Sequence, residues 1–124
     1  MSSEVSYIST SKHKEEYIEW GSVESPIGNP ISKTSGFLIS KDEIQETGYW
    51  QCTEGKWNCH VTDTEFCHFL QGECTYVSED GQIIEVKPGT VAVFPKNWKG
   101  TCHIKSKIKK YYCIILKNYV NLIV

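Results

Sequence analysis

Arginine is absent: all thirteen basic side chains in the 124 residues are lysine. Bidentate guanidinium recognition of phosphate or carboxylate is therefore closed to this chain. A formal net charge of −2 leaves no basic excess, which argues against nucleic acid as a partner. No apolar run approaches the roughly 18 residues that suggest a membrane span. The opening MSSEVSYISTSKHKEEY lacks the apolar core of a secretory signal, so a cytoplasmic protein without membrane association is expected. The six cysteines (Cys52, Cys59, Cys67, Cys74, Cys102 and Cys113) form no C-x-x-C pair and no zinc-ribbon spacing. Reduced thiols packed as small apolar residues are the expectation. Sustained helical periodicity is missing as well.

What remains is a chain of ordinary globular composition, with 40% apolar residues and room for one domain. Residues 1–20 are polar, with Tyr7, Ile8, Tyr17, Ile18 and Trp20 as scattered anchors, and read as a leading arm. Residues 21–124 make the domain proper. Pro26, Gly28 and Pro30 keep its first part extended. Strand candidates then recur: 34–41, 49–53, 56–61, 65–71, 73–79, 82–86, 90–94, 101–104 and 107–116. The turns between them carry matching chemistry. Asp80-Gly81 is a two-residue hairpin signal, Lys87-Pro88-Gly89 places Pro before Gly, and Pro95-Lys96-Asn97 turns again. About nine short strands with turns every 8–12 residues favour an antiparallel sandwich or barrel.

Alternation assigns faces. Glu65, Cys67 and Phe69 share one side of their strand, with Phe66, His68 and Leu70 on the other. Asn58 and His60 share a face, as do Trp57 and Cys59. In the last strand Lys105, Lys107 and Lys109 form a solvated row, whereas Lys110 points with Ile104, Ile108, Tyr112 and Ile114. An ammonium on an apolar face needs a partner, because burying it alone costs several kcal/mol. Glu65 is the expected partner, since both groups are placed inside the barrel. The pair is a candidate catalytic or binding centre. Cys67, two residues from Glu65, is a candidate nucleophile with His60 as its base, or else a packed core thiol. Lys110 could act as an acid or base if burial lowers its pKa.

These residues also resemble a known pattern. Glu65 followed after six residues by Gly72, and Gly89 followed after five by Pro95, fit the two cupin motifs. His60 fits the second histidine of the first motif; Asn58 stands in the first histidine's slot, and Gly100 in the slot of the second motif's histidine. More closely, the chain is similar to the small cupins of the former DUF861 group. That group is related to the ureidoglycine aminohydrolase cupin domain and to ethanolamine-utilisation cupins. The resemblance is carried by Gly48, Trp50, Cys52, Thr53 and Gly55, then by Glu65, Cys67, Leu70, Gly72, Glu79, Asp80 and Gly81. It continues through Pro88, Gly89, Phe94, Pro95, Lys96, Gly100, Lys109, Lys110 and Tyr112, and spans residues 20–117. Cys102 departs from it, standing where relatives usually place Trp.

The resemblance implies an all-β, cupin-type double-stranded β-helix (jelly-roll) barrel and a homodimer. It also implies a small polar metabolite bound or converted inside the barrel. A divalent metal (Mn, Fe, Ni or Zn) held by His60, Glu65 and Asn58 would belong to such a site. The competing expectation is a non-catalytic binding or assembly module, metal-free, in which the Lys110 ammonium takes the metal's place beside Glu65. His103, near the empty fourth slot, should face away. Trp57, Phe69, Trp98, Cys102 and Tyr112 are expected to line the ligand space, with Cys102 opening room in it.

Overall fold

The computed structural model describes residues 3–9 and 17–116. The parts of the expected arm at 1–2 and 10–16, and the tail at 117–124, lie outside the described residues. Among the described residues there are eight strands and no helix. They are β1 (Ile18–Ser22), β2 (Lys33–Lys41), β3 (Gln45–Cys52), β4 (Gly55–Val61), β5 (Glu65–Ser78), β6 (Ile83–Val86), β7 (Val91–Phe94) and β8 (Trp98–Ile115). Because β1 runs across residue 20, arm and barrel share a strand.

Every pairing is antiparallel, and β5 and β8 form the spine. Along one side of β8, β3 pairs residues 108–115 and β4 pairs residues 98–104. Along the far side of β5, β7 pairs residues 65–68 and β6 pairs residues 74–77. The sheet thus has two halves, joined where the long strands bend. Tyr76 of one half meets Phe94 of the other at 4.8 Å between ring centroids, so the halves fold face to face around a common core.

The bend explains why fourteen- and eighteen-residue strands read as four short ones in the sequence. The β5–β8 register shifts between Phe69 and Cys74. Gly72 adopts φ +90° there, and a Cβ on it would lie 2.1 Å from the Lys107 carbonyl oxygen. The Glu73 N–H, drawn off the ladder, donates to Ser106 Oγ at 3.0 Å. Gly72 therefore bends one strand instead of separating two. The Asp80-Gly81 turn differs in kind from the expected two-residue hairpin. Only Gly81 takes a positive φ, and Ser78 N–H donates to the Gln82 carbonyl, giving a three-residue loop with Gly81 at its left-handed position. The segment 41–48, polar in sequence, carries the start of β3.

Two apolar layers result. The inner one holds Cys67, Phe69, Cys74, Tyr76, Ile104 and Ile108 among others, all buried. Each fully buried Phe or Ile contributes roughly 1.5–3 kcal/mol. The outer one stacks Tyr17 on Tyr49 (5.6 Å) and Phe37 (6.2 Å), with Tyr111 edge-on to Tyr49. Tyr17 therefore anchors the described end of the arm onto the sheet. All six cysteines are free thiols.

Candidate functional site

Three inward-facing ladder positions stack along the β5–β8 pair: Phe69 opposite Lys110, Cys67 opposite Tyr112 and Glu65 opposite Ile114. Lys110 and Glu65 are thus not cross-strand partners. The lysine leans its long stem along β5, which an unbranched side chain allows. Its Nζ donates to Cys67 Sγ at 3.3 Å and to Glu65 Oε2 at 2.9 Å. The Cys67 thiol in turn donates to the same Oε2 at 3.1 Å, closing a triangle. Trp50, directly opposite Lys110 on β3, presents its ring 4.5 Å from the ammonium, and Phe69 backs it at 5.6 Å.

Burial works against both charges, and their mutual attraction overcomes it. Desolvation would raise the Glu65 pKa, but the neighbouring Lys110 charge and hydrogen bond hold it below the ordinary carboxyl value. Desolvation would likewise lower Lys110, yet Glu65 holds the ammonium above the usual lysine range. Burial therefore does not lower Lys110 beside Glu65, whose charge favours the protonated amine. Burial pushes the Cys67 thiol up to about 12, with Lys110 only partly offsetting it, so this sulfur is a neutral thiol near pH 7.

Glu65 and Lys110 face a cavity of about 660 Å³. Trp50, Trp57, Tyr76, Phe94 and Tyr112 supply aromatic walls. Trp20, Glu24, His60 and Asp63 also border it. The Tyr112 hydroxyl donates to Glu46 Oε2 at 2.8 Å, and the Glu46 carboxylate also borders the cavity. Gly48 makes that bond possible, because a Cβ there would lie 2.7 Å from the Tyr112 hydroxyl.

The expected site residues separate into those the structure gathers and those it does not. Glu65, Lys110 and Cys67 meet, and Trp57 and Tyr112 line the cavity. Phe69 and Cys102 do not border it: Phe69 is sealed beneath the ammonium, and Cys102 lies fully buried between its ladder partners Trp57 and Tyr76. Trp98 packs edge-on against Phe94 and Tyr76 and does not border the cavity. His103 is exposed, facing away as expected. His68 is half-buried on the outer face, opposite Val91 and Tyr111. Trp50 joins the site through its alternation with Cys52, which could have been read from the sequence, and Glu46 joins it from the same face of β3, where polar neighbours hide the pattern. Trp20, Glu24 and Asp63 come from segments without such a signal.

The expected metal set is not assembled. Trp57 and Cys59 take the inward side of β4 and leave Asn58 and His60 exposed, so of the expected ligands His60 and Glu65 border the cavity and Asn58 does not. An ammonium already occupies the place beside Glu65. Among the described residues no three His, Cys, Asp or Glu side chains converge to hold a metal ion. The residues present do not fit the three- or four-ligand centre of a metal-bearing barrel of this kind. His60 is likewise misplaced as a base for Cys67, whose thiol is engaged by Glu65 and Lys110.

A folded-over antiparallel jelly roll with polar groups inside it is an architecture that cupins share with viral capsid and lectin domains. The model of the EutQ-like cupin domain matches residues 39–112, and the chain belongs to that family. No curated protein sequence matches. Solved structures agree on the fold. The EutQ protein of Clostridium difficile superposes with a TM-score of 0.61 at 12% identity, covering 73% of this chain and 75% of that one. A DUF861-family protein of unknown function from Pseudomonas syringae pv. tomato DC3000 gives 0.72 at 13% identity, over 79% of this chain and 43% of its own. A cupin superfamily protein from Desulfitobacterium hafniense DCB-2 gives 0.60 at 13%, over 73% and 84%.

Proposed function

We propose that this cupin binds a small polar metabolite in its barrel without a metal ion, using the Glu65–Lys110 pair as a fixed dipolar floor. The observation that carries the reading is the 2.9 Å ion pair facing a cavity of about 660 Å³. A cavity of this size suits a small molecule. Binding is favoured over proton-transfer catalysis by the protonation states. An efficient acid or base has a pKa near working pH, whereas Glu65 is held low and Lys110 high. The test is a thermal-shift screen against small polar metabolites in the presence of a chelator. A ligand that binds the native state raises the melting temperature, and the rise is expected to persist in chelator. Stoichiometric Mn, Fe, Ni or Zn in purified protein, with the ligand shift lost on its removal or in His60→Ala, overturns the reading.

We also propose a homodimer. β7 pairs only β5 among the described strands, and its outward residues Val91 (55% exposed) and Val93 (62%) adjoin Phe66 on β5. An apolar, uncharged sheet edge of this kind invites pairing with a second chain. Light scattering is expected to give twice the monomer mass for the native chain and the monomer mass for Val93→Lys. A monomeric native protein rejects the dimer.

A further inference from the structure

We infer that the cavity selects a cationic ligand, a small organic amine carrying an ammonium group; this deepens the binding function proposed above and rests on it. Charge at the cavity is lopsided. Four carboxylates border it (Glu24, Glu46, Asp63 and Glu65), against one ammonium, Lys110. That ammonium is already engaged: it donates to Glu65 and to Cys67 and lies over the Trp50 ring. An anionic ligand entering here meets no uncommitted lysine among the residues that line the space, and the chain has no arginine to offer. Lys41 offsets Glu46 in part from 3.5 Å, but Glu24 and Asp63 have no ion-pair partner among the described residues.

The aromatic lining points the same way independently of the carboxylates. Trp20, Trp50 and Trp57 come from three different strands and border one space, with Tyr76 and Tyr112 beside them. Indole faces attract cations through their quadrupole, most strongly where water is excluded. Lys110 shows that attraction within the barrel, since its ammonium rests 4.5 Å from the Trp50 ring centroid. A neutral molecule gains hydrogen bonds from the carboxylates but no charge attraction, and an anion is repelled by them. Trp20 and the exposed Glu24 both lie on the N-terminal segment and border the cavity, which adds one indole and one carboxylate to its lining.

The experiment is tryptophan-fluorescence titration of the full chain with four probes: choline, propylammonium, the neutral choline isostere 3,3-dimethylbutan-1-ol, and acetate. At least one ammonium probe is expected to bind saturably, on the order of tenfold more tightly than the neutral isostere. Its affinity should fall several-fold in the Glu24→Gln/Asp63→Asn double variant and with added salt. Circular dichroism of that variant confirms that it folds. If the neutral isostere or acetate binds as well as or better than both ammonium probes, the cation inference falls while the binding cavity stands. If no probe binds, the cation inference falls, and the binding function is decided separately by the metabolite screen described above. Ammonium binding that is indifferent to the double variant overturns the assignment of Glu24 and Asp63.

Discussion

Trp50 and Lys110 lie directly opposite each other in the β3–β8 ladder, and the lysine ammonium is 4.5 Å from the indole ring centroid. The ring shields one side of the cation, and Glu65 and Cys67 satisfy the others. Together they make a buried charge tolerable in an apolar barrel.

Removing one partner of this pair should be far worse than removing both. Lys110→Met strands the Glu65 carboxylate, and Glu65→Leu strands the ammonium. Each is expected to destabilise the fold by about 3–5 kcal/mol. The double variant Glu65→Leu/Lys110→Met replaces the pair with apolar groups of similar volume and should recover most of that loss. Urea denaturation of all four proteins measures the coupling. Additive losses would show that the two charges do not stabilise one another.

The same pair fixes the shape of the pH–stability curve. Glu65 titrates lower in the folded state than its ordinary 4.5, so its contribution is present above that value. The contribution is lost as pH falls through the lowered folded value. Lys110 titrates higher than its ordinary 10.5, so its contribution is present below that value and lost as pH rises through the raised folded one. Between these limits the pair should add a flat increment. Chemical denaturation across pH is expected to show acid and alkaline losses in the native protein. Both should shrink in Glu65→Leu/Lys110→Met. Identical profiles for the two proteins would show that the pair does not govern the curve.

How far this site could be read in advance depended on period-two alternation. Glu65, Cys67, Lys110 and Tyr112 were legible as inward-facing because each sits in a long run of clear alternation with apolar neighbours. Glu46 was not, because its neighbours at 41–48 are polar on both faces: β3 there is flanked on one side by β2 and packs inward only through Glu46 and Gly48. The metal set failed for a related reason. Motif spacing put Asn58 and His60 inside, while the strand's own alternation, with Trp57 and Cys59 apolar, put them outside. The alternation prevailed, since an indole left in water forfeits more than an amide does. The bends at Gly72 and Ser106 were misread as strand ends, because a bulge and a turn call for the same residues.

Gly72 offers a direct test of the bend. Its φ of +90° strains any L-residue, and the Lys107 carbonyl leaves no room for a Cβ. Gly81 has a nearly identical φ of +95° but open space around it. Gly81→Ala should therefore cost about 1 kcal/mol from backbone strain alone. Gly72→Ala should cost at least about 3 kcal/mol, since the strand must shift as well. Thermal melts of the two variants separate conformational strain from close approach. Equal losses would mean that the bulge accommodates a side chain.

Thiol reactivity should map the barrel wall. Cys52, Cys67, Cys74 and Cys102 are buried, whereas Cys59 and Cys113 are half-exposed. Burial pushes Cys52 and Cys67 up to about 12 and raises Cys59 and Cys102 as well, so their thiolate fraction at neutral pH is small. Cys113 lies outside that inner set, on the outward side of β8 opposite Phe66 and Thr47. Titration of the native protein with a disulfide reagent is expected to modify Cys113 first and Cys59 more slowly. The remaining four should react only on unfolding, and Cys113→Ser should abolish the fast phase. A fast phase that instead disappears in Cys67→Ser would show that the sulfur between Glu65 and Lys110 is an activated thiolate, and the floor of the cavity would then be a reactive one.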